Sequence, residues 1–164
     1  MRHIISTLVV HRSGVLVRVA GLFSRRGYNI ESIAVGRSEE PDLARITIVV
    51  EADDEQVLEQ IEKQLYKLID VVKVNDLPAR ESVERELALI KVNAGSQTRS
   101  EIMQIVDIFR AKIVDVSSRA VIVEITGGAE KIEAIIALLK PYGIREIVRT
   151  GQIAIQRTPK KTDK

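Results

Sequence analysis

The chain has 164 residues, a formal net charge of +2, no Cys, no Trp, two His, three Tyr and two Phe. Without Cys there is no disulfide framework, thiolate nucleophile or Cys-ligated zinc, and two His leave little material for a metal site or an imidazole acid/base. A hydrophobic content of 45%, with 22 Ile and 20 Val, excludes a disordered chain, and no window approaches the roughly 18 apolar residues of a membrane helix. The opening Met1-Arg2-His3-Ile4-Ile5 runs straight into alternating apolar residues without a cleavage-site pattern, so the expected location is the cytoplasm.

Ile4 to Val10 reads as a strand covered on both faces, because apolar residues fall on both parities. His11-Arg12-Ser13-Gly14 breaks it, and Val15, Leu16, Val19, Ala20, Leu22 and Phe23 follow at helical spacing. Arg25 and Arg26 suit the negative end of that helix, and Gly27 suits the residue just past it. Tyr28–Arg37 and Leu43–Glu51 are expected to be extended, with a turn at Ser38–Asp42 between them. Asp53-Asp54-Glu55 opens a second helix at its positive end, and Val57, Leu58, Ile61, Leu65 and Leu68 form its apolar stripe. Val71, Val72 and Val74 make a short strand that ends before Pro78.

The order strand-helix-strand-strand-helix-strand then repeats. Leu87 to Val92 is a strand, Asn93–Ser96 a turn, and Thr98 with Glu101 fits a capping box ahead of the stripe Ile102, Ile105, Val106, Ile108 and Phe109. Ile113–Val116 and Val121–Ile125 are strands, and Gly127-Gly128 precedes a helix with Ile132, Ile135, Ile136, Leu138 and Leu139. Ile144, Ile147 and Val148 form a last strand, with Ile153 and Ile155 an extra edge strand. The expected fold class is α+β: two ferredoxin-like βαββαβ domains, at 1–77 and 84–157, joined by a linker at 78–83 and followed by a disordered tail at 158–164. Units of roughly 80 residues are small for self-sufficient cores, and a sheet with helices on one face needs its other face covered, most simply by a second subunit.

Chemistry has few places to sit. His3 and His11 lie about 26 Å apart on an extended strand and cannot share an ion. Neither GxxxxGK[ST] nor GxGxxG is present. The same βαββαβ order serves RNA-binding domains that stack bases on sheet aromatics, but here both Phe fall on helices and no strand centre is aromatic, so neither nucleic acid nor membrane is an expected partner. An acylphosphatase-like hydrolase has only Arg12, Arg18 and Asn29 to offer and lacks the phosphate-cradling loop.

Two segments can take a ligand. At His11-Arg12-Ser13-Gly14-Val15-Leu16 a strand gives way to a helix whose first N–H groups and positive end suit an anion; Ser13 is placed to cap and Gly14 lets a ligand approach the backbone. At Gly27-Tyr28-Asn29-Ile30-Glu31-Ser32, Asn29 supplies a donor and an acceptor where the second strand begins. On local sequence alone each is also an ordinary turn.

Together these segments carry a resemblance. Ser13 to Leu16, the run Gly21-Leu22-Phe23-Ser24-Arg25-Arg26-Gly27-Tyr28-Asn29-Ile30-Glu31-Ser32-Ile33, Gln60 to Leu68 with Asp70-Val71-Val72, Val83 to Leu87, Ile108-Phe109-Arg110-Ala111-Lys112-Ile113-Val114-Asp115-Val116, and Arg149-Thr150-Gly151 follow one another in order along nearly the whole chain. The chain thereby resembles the small, regulatory subunits of acetolactate synthase (acetohydroxyacid synthase), an ACT-domain family. The resemblance implies an N-terminal ACT domain, an ACT-like second domain, and a homodimer whose ACT sheets join side by side. It implies a valine effector site at that junction, with contacts falling on His11, Ser13, Gly14, Val15, Leu16, Asn29 and Ile30. It further implies a catalytic large subunit holding thiamine diphosphate, magnesium and FAD, none of which this chain is expected to bind, and feedback inhibition by valine in branched-chain amino acid biosynthesis. At His11, where many relatives carry Asn, the chain departs: an imidazole hydrogen-bonds at a different reach. A rival from another class is an ACT-type amino-acid sensor in transcription control, without an enzyme partner.

Overall fold

The computed structural model describes residues 2–52 and 55–158. Its elements run β1 (Arg2–Val10), α1 (Val15–Arg25), β2 (Ile30–Arg37), β3 (Leu43–Glu51), α2 (Glu55–Leu65), β4 (Val71–Asp76), β5 (Ser82–Asn93), α3 (Arg99–Ile108), β6 (Lys112–Val116), β7 (Ala120–Gly127), α4 (Ala129–Leu139), a 3-10 turn (Lys140–Tyr142), β8 (Ile144–Arg149) and β9 (Ile153–Gln156). Two antiparallel sheets result, β2-β3-β1-β4 and β6-β7-β5-β8, each with two α-helices inserted in the βαββαβ order. The expected fold class is the observed one, and β9 is the extra strand expected from Ile153 and Ile155. Asp53 and Asp54, expected to open α2, lie outside the described residues, as does the expected tail from Pro159 on.

In the first unit one sheet face carries Ile5, Val9, Ile46, Ile48 and Val50, which pack with Val15, Val19, Leu22 and Phe23 of α1 and Leu58, Ile61 and Leu65 of α2. The pairings Ile5↔Ile48 and His3↔Val50 keep these residues on one face, as a period of two requires. Helix α1 ends as the sequence suggested: Gly27 is left-handed at φ 71°, and Tyr28 N–H donates to Phe23 O at 3.1 Å. That turn sets Tyr28 edge-on to the fully buried Phe23, ring centroids 6.4 Å apart.

The opposite face of this sheet is partly covered by the chain itself. Ile4 and Val49 pack there with Leu77 and with Ala154 of β9. Gln152 is buried; its N–H donates to Ser32 Oγ at 2.9 Å, and its side-chain oxygen accepts from Arg2. By compactness residues 152–158 therefore group with residues 2–83, while Glu84–Gly151 forms the second unit. Within residues 152–158, strand β9 pairs with β5. The stretch expected as a linker, 78–83, is shorter than its polar composition suggested, since β5 already begins at Ser82.

The second unit repeats the plan with an almost wholly aliphatic core: Ala88, Ile90 and Val92, Val121, Val123 and Ile125, and Ile102, Val106, Ile132, Ile135 and Leu139 from its helices. The capping box expected of Thr98 and Glu101 does not form. Thr98 stands at the N-cap without a side-chain hydrogen bond, and the Glu101 carboxylate accepts from Tyr142 Oη at 2.8 Å instead, a contact that raises the tyrosine's pKa. Glu86 is the second unit's buried carboxylate. It takes a two-pronged hydrogen bond from Arg149, Nε to Oε1 and Nη2 to Oε2, both 2.8 Å, and Arg149 Nη1 also donates to Glu133 at 2.7 Å. This ties β5, β8 and α4 together, and the two carboxylates hold the Arg149 guanidinium charged more firmly than usual.

Candidate functional site

The β1–α1 turn is built by three backbone restraints. Val10 N–H donates to Asp70 O at 2.9 Å, His11 N–H to Asp42 O at 2.8 Å, and Arg12 N–H back to Val10 O at 3.0 Å. Gly14 is the N-cap of α1 in the left-handed region, φ 85° and ψ −10°, a conformation that costs a residue with a Cβ about 1–2 kcal/mol. Ser13 does not cap, contrary to the sequence expectation: among the described residues no side chain caps the helix start, because the left-handed glycine has taken the N-cap position one residue later. The first turn of α1 carries no acidic residue, so the amide groups there keep their attraction for an anion.

Around this turn His11, Ser13 and Gly14 are exposed, Val15 is buried in the first core, and Leu16 is 44% exposed. Beneath it lies a group that the ligand-directed reading of the sequence passed over. The Asp70 carboxylate, its side chain only 2% exposed, accepts from Arg12 Nη2 and from Arg18 Nε at 2.8 Å and Nη2 at 2.6 Å. Burial pushes this carboxyl up, but the hydrogen bonds and charges of Arg18 and Arg12 outweigh it and leave Asp70 below the ordinary carboxylate value. Arg12 and Arg18, weighed in sequence as phosphate ligands, are thus engaged by a carboxylate of their own chain. The only sequence sign of this was an Asp directly before an apolar strand.

Asn29 and Ile30 lie elsewhere. Asn29 is exposed just ahead of β2, and Ile30 is half-buried against the first core. The register fixes their distance from the turn: Val10 pairs with Leu43 at one end of β3, and Ile30 with Val50 near the other. Seven residues of strand separate those levels by about 23 Å. Within one chain the structure therefore brings His11, Ser13, Gly14, Val15 and Leu16 together and leaves Asn29 and Ile30 at the opposite end of the sheet. β2 is an edge strand, bonded only to β3 among the described strands. Exposed apolar side chains lie on it, at Val35, and on α1, at Leu16 and Val17.

Among the described residues no group of three or more His, Cys, Asp or Glu is placed to hold a metal ion, and no helix is long and apolar enough to cross a membrane.

Comparison with known proteins agrees with this plan in both units. Residues 5–73 match the AHAS small subunit-like ACT domain, and residues 85–158 match a family described as the small subunit of acetolactate synthase. The acetolactate synthase small subunit of Bacillus subtilis is 54% identical over 157 residues, covering 96% of this chain and 91% of that protein. That of Mycolicibacterium smegmatis is 52% identical over 158 residues, covering 96% and 92%. The crystal structure of the acetolactate synthase small subunit from Thermotoga maritima superposes with a TM-score of 0.89 at 50% identity, covering 97% of this chain and 99% of that one. With matches that run through both sheets and nearly end to end, the chain belongs to the family of acetolactate synthase small subunits.

Proposed function

We propose that this chain is the non-catalytic regulatory subunit of a cytoplasmic acetolactate synthase, that it activates the catalytic large subunit, and that it makes the assembly sensitive to valine. The large subunit holds the thiamine diphosphate, magnesium and FAD. Family membership supports the assignment, and one geometric observation supports the effector site: the anion-ready turn at Gly14 and the amide of Asn29 stand at opposite ends of one sheet, beside a strand edge with a free side.

A second copy joined antiparallel along β2 reverses the direction of its sheet. Its Asn29 end then lies at the level of the first copy's Gly14 end. Each of two equivalent sites draws turn amides for the carboxylate from one protomer and Asn29 for the ammonium from the other. Val15, Leu16 and Ile30 supply aliphatic walls for a branched side chain. An effector seated across the junction alters activity only by binding the active and inactive arrangements unequally, so the junction has to differ between them.

The test is reconstitution. The chain is mixed with its cognate catalytic subunit and turnover is followed with and without valine. The expected result is a rise in turnover on mixing and a fall on adding valine; unchanged turnover on mixing overturns the assignment.

A further inference from the structure

We propose that Asp70 is a positioning residue for the effector turn: its buried carboxylate fixes Arg12 and Arg18, one on each side of Gly14, and so holds the turn in its ligand-ready form. The inference rests on reading 11–16 as part of an amino-acid effector site.

Asp70 lies between α2 and β4, outside the turn it serves, yet it grips the turn at three points. Its carbonyl accepts from Val10 at the end of β1, and its carboxylate accepts from Arg12 within the turn and Arg18 in the first part of α1. Such a device is expensive as plain scaffolding. A carboxylate in a buried position loses its hydration, and an apolar residue of similar volume often serves stability as well. The two arginines, by contrast, are 58% and 45% exposed, so their order is supplied by Asp70 and not by packing.

Arg18 also bounds the site sterically. A Cβ built on Gly14 meets its Nη1 at 3.2 Å, so the guanidinium borders the space directly beside the left-handed residue. Without the Asp70 charge, two like-charged side chains with large rotamer freedom share the neighbourhood of the turn. Ordering them again falls to the ligand and weakens its binding.

The experiment titrates valine calorimetrically into the full chain and measures valine inhibition of the reconstituted enzyme. Asp70→Asn is expected to raise the valine Kd, and the concentration giving half-inhibition, about ten-fold, with the extent of inhibition at saturation retained. Arg18→Met is expected to raise Kd as well, and the double variant no further than the stronger single, because both break one linkage. Ile61→Val, in α2 and outside the turn, controls for lowered stability and is expected to keep the wild-type Kd. A wild-type Kd in Asp70→Asn with a reduced Tm overturns the proposal and leaves Asp70 a structural ion. So does strict additivity of the two changes. If Asp70→Asn does not fold, Arg12→Met and Arg18→Met carry the same test, and wild-type Kd values in both overturn it. Gly14→Asp separates the two levels of inference. Valine binding that survives Gly14→Asp overturns the site reading itself, whereas binding lost there but intact in Asp70→Asn overturns only the role of Asp70.

Discussion

Among the described residues each unit buries one carboxylate against arginine, and the two are put to different use. In the second unit Glu86 lies in a strand, and Arg149 reaches it from the neighbouring strand β8, so the pair secures the sheet edge. In the first unit Asp70 lies in a connection, and its arginines come from a second connection and the helix that follows it. The corresponding strand-to-helix turns differ in the same sense. After β1 the helix start is uncapped, with a left-handed glycine and no acidic residue in its first turn. After β5 the equivalent region is filled: Arg99 donates back to Ala94 O at 3.0 Å and to Ser117 O at 2.5 Å, and Glu101 stands in the first turn of α3. One topology thus supplies an open turn in one unit and a closed one in the other. What separates them is a handful of charges, not the fold.

Gly14→Asp is expected to break this contrast most severely. It puts a Cβ at φ 85°, 3.2 Å from Arg18 Nη1, and a second carboxylate within reach of the guanidinium that Asp70 holds. The added negative charge repels an incoming carboxylate, so valine inhibition of the reconstituted enzyme is expected to vanish; full sensitivity in this variant removes the open turn from the site. Arg149→Met tests the other half. It strands Glu86, whose side chain is 3% exposed, and is expected to cost about 2–3 kcal/mol in urea unfolding, below the value for a wholly buried pair because Arg149 is itself 36% exposed. Valine response is expected to persist in the folded fraction; losing it while stability is retained ends the distinction between the two clusters.

Acid sharpens the comparison further. The Asp70 carboxyl has a folded-state value below its ordinary 3.8, so the stability it contributes is present above 3.8 and is lost as the pH falls through the folded value. Denaturation midpoints of the wild type and Asp70→Asn are therefore expected to differ at neutral pH and to converge below pH 3.8, as measured by urea titration at several pH values. A gap that persists at low pH removes the charge from the account. Ser32→Ala is a smaller perturbation. It leaves the buried Gln152 N–H without its 2.9 Å acceptor and is expected to cost about 1–2 kcal/mol. An unchanged Tm places the returning segment outside the cooperative unit of the first sheet.

That returning segment shows where the sequence stops being legible. Period-two and period-3.6 patterns record which faces are buried, and they sufficed for both βαββαβ orders, for α1 and its Gly27 terminus, and for the turn at Gly14. They do not record long-range partners. Gln152 meets Ser32 across 120 residues and Arg12 meets Asp70 across 58, and no local pattern marks either pair. Capping was misread for a related reason. Ser13 and Thr98 are sound N-cap residues by type, but which residue occupies the cap depends on the backbone angles of the turn, and neither makes the expected hydrogen bond.

The smallest expected effect concerns His11. Its backbone is committed, with N–H donating to Asp42 O, while the residue as a whole is exposed and lies outside the Asp70 cluster. The restraints on Arg12 and Gly14 do not pass through the imidazole: they run through Asp70 and through the α1 hydrogen bond from Arg18 N–H to Gly14 O at 3.1 Å. His11→Asn keeps the backbone bond and offers a shorter side chain with one donor group and one acceptor. The concentration of valine giving half-inhibition is therefore expected to stay within about two-fold of the wild type, or to fall, and Tm to stay within the about 0.5 kcal/mol equivalent of an ordinary surface change. A large loss of inhibition instead makes the imidazole a direct contact to the effector, and the turn then selects its ligand through a side chain as well as through its amides.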